Sequence, residues 1–301
     1  MNTRQAILIV LIFSLLLGLS ACTSFSSFSP TATVTSSPPP APTDTPVPTP
    51  TPIPPTATPT PLTCLTQPGR VEQGVVNSTV PPQEYLIYLP PCYNEQTDLR
   101  YPVLYLLHGQ TYTDDQWVRL GAPQTADQMF FSGESVPFII VFPDDRYWNN
   151  SAGPTFGTRF IGALIPYIDF TYRTIPNREH RALGGLSRGG GWTVELGLEN
   201  PELFGSLGLH SPAIFKDNAP VVEKNLLNIP EDLRPRLWLD AGDNDRELSS
   251  ILQFEEMLTR NSFPHEFHFF SGDHSEIYWG AHVRNYLQWY AEAWNEKPSE
   301  E

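Results

Sequence analysis

Gly185-Leu186-Ser187-Arg188-Gly189 fits G-x-S-x-G, with an apolar run before it and a helical pattern after it. That context makes Ser187 a candidate nucleophile on a sharp strand-to-helix turn, where side chains at the flanking positions would collide with strand or helix. A serine hydroxyl is a weak nucleophile near neutral pH. It needs a histidine to take its proton, and a carboxylate to hold that imidazole in one tautomer. After such a turn the expected chain order is acid, then histidine. Toward the chain end stand His265, His268, His274 and His282. His265 and His268 flank or occupy a strand-like run on opposite faces, which also argues against a metal pair. His282 falls inside a helical stretch. His274, in S-G-D-H-S just past the last strand-like run, is the candidate base. For the acid, L-W-L-D-A-G-D-N-D-R offers Asp240 at a strand end and Asp243 and Asp245 beyond Gly242 in the loop; spacing alone leaves the last two tied.

Attack on an ester carbonyl creates an oxyanion that needs preorganised donors. One should be the backbone N–H after the nucleophile, that of Arg188. The other should come from the loop after L-L-H-G, which points to Gln110, while His108 is read as fixing that loop. Trp117, Tyr147, Trp148, Trp192, Tyr278 and Trp279 lie in or beside the expected active-edge loops, and any one of them could serve packing alone. Trp148 and Trp279 are the candidates for substrate contact.

The elements that must position these residues are short apolar strands alternating with helices, which indicates an α/β protein with a mostly parallel sheet flanked by helices. Strands are expected at 84–89, 103–107, 138–142, 181–186, 206–210, 236–240 and 266–270. Helices are expected near 160–170, 189–198, 248–261 and 281–294. Connections at Gly109, Asp144, Ser187, Ser211, Asp243 and Gly272 then fall at strand C-termini, the edge where open α/β sheets bind ligands.

Four blocks carry a family resemblance: Y-P-V-L-Y-L-L-H-G at 101–109, R-E-H-R-A-L-G-G-L-S-R-G-G at 178–190, G-D-N-D at 242–245 and G-D-H at 272–274. Across 83–294 the chain resembles the esterases that include esterase D, bacterial feruloyl esterases and enterochelin esterase-like proteins, in the α/β-hydrolase superfamily. The resemblance implies an α/β-hydrolase fold and places the acid on Asp245 through the family's G-x-x-D pattern. Members often carry Met or another apolar residue after the serine, whereas this chain has Arg188. Its side chain is expected to pair internally with Asp144 or Asp145 rather than face a polar substrate group.

The chain has 301 residues and a formal net charge of -15, which fits one catalytic-size domain and argues against a nucleic-acid partner. The apolar run from Ala6 to Leu19 follows Arg4, is too short to span a bilayer comfortably, and ends in L-S-A-C. That ending resembles the lipobox of bacterial lipoproteins, which makes Cys22 the expected lipidated N-terminus and gives an extracytoplasmic, membrane-anchored protein. The expected organisation is a signal peptide at 1–22, a Ser/Thr/Pro-rich spacer at 23–62, an esterase domain at 63–297 and a tail at 298–301. Cys64 and Cys92 remain, and an oxidising compartment favours a bridge between them.

These readings converge on hydrolysis of a small-molecule or carbohydrate ester through an acyl-enzyme, without metal or organic cofactor. Two rivals use the same chain: acyl transfer to a sugar acceptor, as in mycolyltransferase relatives, and a non-catalytic carbohydrate-binding module.

Overall fold

A computed structural model describes residues 63–146, 155–214 and 219–295. The expected signal peptide, spacer, Cys22, Trp148 and the tail at 298–301 lie outside the described residues.

Eight strands form one sheet in the order β1-β2-β4-β3-β5-β6-β7-β8. They are β1 (Arg70–Val76), β2 (Gln83–Leu89), β3 (Val103–Leu107), β4 (Ile139–Pro143), β5 (Arg181–Ser187), β6 (Ser206–Pro212), β7 (Arg236–Asn244) and β8 (Glu266–Asp273). β1 pairs antiparallel with β2, and β2 antiparallel with β4; every pairing from β4 to β8 is parallel. Strands β3 to β6 are buried along their whole length, which is why they read as continuous apolar runs.

Alternate residues feed two cores. Val103, Tyr105 and Leu107 join Ile139, Val141 and Leu183 on one face. Leu104 and Leu106 join Ile140, Phe142 and Leu186 on the other. The first face is covered by a helical stretch from α3 (Phe156–Arg159) through a π turn (Phe160–Leu164) to α4 (Ile165–Thr171), and by α5 (Arg188–Glu199), α6 (Ala219–Asn228) and α7 (Leu248–Arg260). The π turn stands just before Pro166, which removes a backbone donor from the helix interior. The second face is covered by α1 (Gln116–Arg119), α2 (Ala122–Ser132) and α8 (Glu276–Asn295). Among the described residues no helix is long and apolar enough to cross a membrane.

The expected strands are all present, and three run two residues or more further than expected at the edge that matters: β6 to Pro212, β7 to Asn244 and β8 to Asp273. Asp243 is therefore the penultimate strand residue, not a loop residue. The last helix starts at Glu276, which places Tyr278 and Trp279 in its first turn rather than in a loop. Cys64 and Cys92 are bridged, with Cα atoms 5.1 Å apart and 28 residues of separation. Closing a loop of that length constrains the unfolded chain by about 3 to 4 kcal/mol in the chain-entropy account.

Candidate active site

Ser187 ends β5 and immediately precedes α5, with φ 53° and ψ −119°. A side chain on a left-handed residue is strained, and the turn closes because the residues two positions away on either side, Gly185 and Gly189, have no side chain. A Cβ at Gly185 would lie 2.4 Å from the Gly189 carbonyl carbon, and one at Gly189 would lie 2.3 Å from the Leu107 oxygen. The two glycines thus let helix, elbow and the end of β3 close on one another.

The bend just past β8 carries His274 to this elbow. His274 Nε2 stands 2.8 Å from Ser187 Oγ, and Nδ1 stands 2.9 Å from Asp245 Oδ1. The carboxylate can only accept, so the Nδ1 proton points at Asp245 and Nε2 is left as the base toward the serine hydroxyl. Burial by itself would raise the Asp245 pKa. Hydrogen bonds from His274, Ser211 and the Glu247 amide outweigh it and hold the carboxyl below its ordinary range. Asp243 is exposed and accepts the Gly272 amide at 2.9 Å, which stitches β7 to β8 without reaching His274. The other histidines of the C-terminal region are engaged elsewhere: His265 Nδ1 with the Phe263 carbonyl, His268 stacked on Trp238, and His282 stacked on Phe270.

The loop after β3 supplies the opposite wall. The Gly109 amide donates to Gln116 Oε1 at 2.8 Å, and Gln116 Nε2 donates to Glu276 Oε1 at 3.1 Å. With Gly109 committed to Gln116, the next amide along the loop is that of Gln110, whose residue lines the cavity at Ser187. The N–H of Arg188, as first residue of α5, faces out of the helix end. The Arg188 side chain turns the other way and pairs with Asp145 Oδ1 at 2.5 Å, while Trp192 Nε1 donates to Oδ2 at 3.2 Å. His108 lies behind the same wall, its Nδ1 donating to the Gly109 carbonyl at 2.8 Å. Burial would lower its pKa, but Asp144 and Asp145 beside Nε2 outweigh burial and raise it. Ligand atoms of His108, Asp144 and Asp145 all fall within 4.8 Å of one another, a set that could hold a cation. Arg146 and Arg188 already neutralise the two carboxylates, so the cluster is used as an ion-pair network.

A cavity of about 340 Å³ opens over Ser187 and His274, lined by Gln110, Tyr112, Arg246, Ile277 and Trp279 among others. The Trp279 ring stands edge-on to His274 at 5.0 Å, and its buried indole N–H has no hydrogen-bond partner among the described residues. A larger cavity, about 550 Å³, lies between Arg178, Arg236 and Glu292 at the opposite end of the strands, remote from the nucleophile. Cavity size therefore does not mark the site here; the converging side chains do. Trp117, Trp192 and Tyr278 are buried and donate to the Leu107 carbonyl, Asp145 and Asp240, so they support the site rather than line it.

Ser211, Gln116 and Glu276 were not singled out as site residues from sequence. Ser211 did fall at a strand C-terminus, the one available signal, but nothing in its neighbours separated it from a bend residue.

Residues 78–290 match the model of a family described as Putative esterase. An endo-1,4-beta-xylanase/feruloyl esterase of Xylanibacter ruminicola is 35% identical over 140 residues, 43% of this chain and 19% of that one. The chain spans about half the length, or less, of the curated relatives it matches. A ferulic acid esterase of known structure is 26% identical with TM-score 0.68, covering 75% of this chain and 99% of that chain. An S-formylglutathione hydrolase from Staphylococcus aureus is 18% identical with TM-score 0.62, covering 75% and 98%, a likeness of fold alone. The fold is that of an α/β-hydrolase.

Proposed function

The chain belongs to the Putative esterase family, and from that premise we propose that it hydrolyses carboxylic esters through an acyl-enzyme on Ser187. One observation carries the reading: the unbroken line from Ser187 Oγ to His274 Nε2 at 2.8 Å and from His274 Nδ1 to Asp245 at 2.9 Å. Ser187 Oγ attacks the ester carbonyl as its proton passes to Nε2. The amides of Gln110 and Arg188 face the developing oxyanion, where one such donor contributes about a hundred- to a thousandfold in rate. Collapse of the tetrahedral species returns the Nε2 proton to the departing alcohol. A water then repeats the sequence and releases the acid, with Asp245 holding the imidazole in register throughout.

The substrate class is an ester of an aromatic or other acyl group on carbohydrate. Support comes from the likeness to a xylanase/feruloyl esterase and to a ferulic acid esterase of known structure. Trp279 and Ile277 offer an apolar wall, on which the Trp279 indole N–H has unused donor capacity. Trp148, chosen from the sequence, is the second proposed substrate contact. The test is turnover of p-nitrophenyl and feruloyl esters of graded size. Ser187→Ala is expected to lower kcat by about a millionfold at unchanged fold, and retained turnover would refute the nucleophile.

The L-S-A-C ending of the leader and the Ser/Thr/Pro-rich stretch after it support a lipid anchor at Cys22 that holds the domain outside the cell on a spacer. Metabolic labelling with radioactive palmitate should tag the wild-type chain and not Cys22→Ala; equal labelling of both would remove the anchor from Cys22.

A further inference from the structure

Ser211 touches two of the three residues to which the esterase reading assigns chemistry. We propose that it is a positioning residue, whose hydroxyl locks the Asp245 carboxylate and shares the His274 Nδ1 proton, fixing the pair in the pose that turns Nε2 toward Ser187. This deepens the esterase reading and rests on it.

Ser211 Oγ donates to Asp245 Oδ2 and lies 3.1 Å from His274 Nδ1. A hydroxyl has one proton and two lone pairs, so with its proton on Asp245 it presents a lone pair to Nδ1–H. Asp245 Oδ1 meanwhile accepts from His274 and from the Glu247 amide at 2.7 Å. Both carboxylate oxygens are thereby fixed, and rotation about the Asp245 side chain would break bonds on each.

The backbone at Ser211 strengthens the case. The residue is fully buried with φ 50°, a left-handed conformation in which a residue other than glycine is strained. Glycine would serve the bend better, so the hydroxyl is what serine adds there. The same bend reaches the nucleophile: Pro212 pairs with Ser187, and the Ala213 amide donates to the Ser187 carbonyl at 2.8 Å. The end of β6 thus holds the elbow with its backbone and the acid with its side chain.

Two variants separate these roles, since Ser211→Ala removes the hydroxyl and keeps the strain, whereas Ser211→Gly removes both. Steady-state kinetics across pH should show kcat reduced about tenfold in each, with KM little changed. Below the pH at which the imidazole is protonated, the further loss of kcat that follows protonation of Asp245 should also begin at higher pH. Four groups face Asp245: His274 from the turn after β8, Tyr278 from α8, Ser211 from β6 and the Glu247 amide just before α7. Of these, Ser211 is one of those that hold its carboxyl low, so without it Asp245 takes up a proton more readily as pH falls. If Ser211→Ala fails to fold, Ser211→Gly decides alone. Wild-type kcat with that low-pH loss unmoved in Ser211→Gly would overturn the proposal while leaving the esterase reading intact. Turnover that survives Ser187→Ala would instead overturn the esterase reading, and the Ser211 role with it.

Discussion

The molecule holds two chains of acid, imidazole and hydroxyl built on neighbouring strands. In one, Asp245 and His274 sit 2.9 Å apart and lead to the Ser187 hydroxyl. In the other, Asp240 and His210 sit 3.0 Å apart, and His210 Nε2 meets the Tyr290 hydroxyl at 3.0 Å. The pairwise distances barely differ, so geometry of contact does not distinguish a reactive chain from an inert one. Position along the strand does. His210 and Asp240 lie inside β6 and β7, side by side and fully buried, while Asp245 and His274 lie just past the ends of β7 and β8, where a cavity opens.

Environment then sets opposite electrostatic tasks. Burial lowers the His210 pKa more than Asp240 raises it, which keeps that imidazole neutral. Burial and the nearby Asp240 push the Tyr290 phenol well above its ordinary range, so it stays a donor. Asp240 also accepts from Trp238 at 2.9 Å, Tyr278 at 2.7 Å and Tyr286 at 3.1 Å. It is the hub of a sealed polar network that ties β6, β7 and α8 together.

Matched substitutions break the comparison from opposite sides. Asp245→Asn should leave His274 free to adopt the wrong tautomer and lower kcat about ten-thousandfold, with little change in melting temperature. Asp240→Asn should do the reverse. An amide turns two protons toward a site where every neighbour donates, at a cost of roughly 3 to 5 kcal/mol, or on the order of 10 °C in Tm for a domain of this size. Its kcat should stay within about twofold of wild type in material that folds. Kinetics and thermal melting on the same preparations check both, and a large kcat loss in Asp240→Asn would erase the distinction between the two chains.

The sequence made the reactive chain legible and left the inert one unseen, for a physical reason. Ser187 and His274 stand at breaks in strong apolar runs beside glycines, where composition changes sharply. His210 sits within such a run and carries no local mark of the acid it meets 30 residues later. The same limit applies to Ser211, Gln116 and Glu276, whose roles exist only through partners far along the chain. Among the elements, β1 was missed because it is an edge strand carrying Glu72, Gln73 and Gly74, so it lacks the buried pattern of its neighbours. Helix α2 was missed because its inward face is built from Ala122, Ala126 and Met129, which gives little hydrophobic contrast. The choice of Asp245 over Asp243 came from the family motif, since loop spacing left them level.

The central claim is that one hydroxyl out of many is activated by its imidazole. Treatment with a fluorophosphonate ester, followed by peptide mass spectrometry, tests it directly. The account predicts a single stoichiometric adduct on Ser187 that is abolished in Ser187→Ala and slowed in His274→Ala. An adduct on another residue, or labelling that persists unchanged in Ser187→Ala, would contradict it.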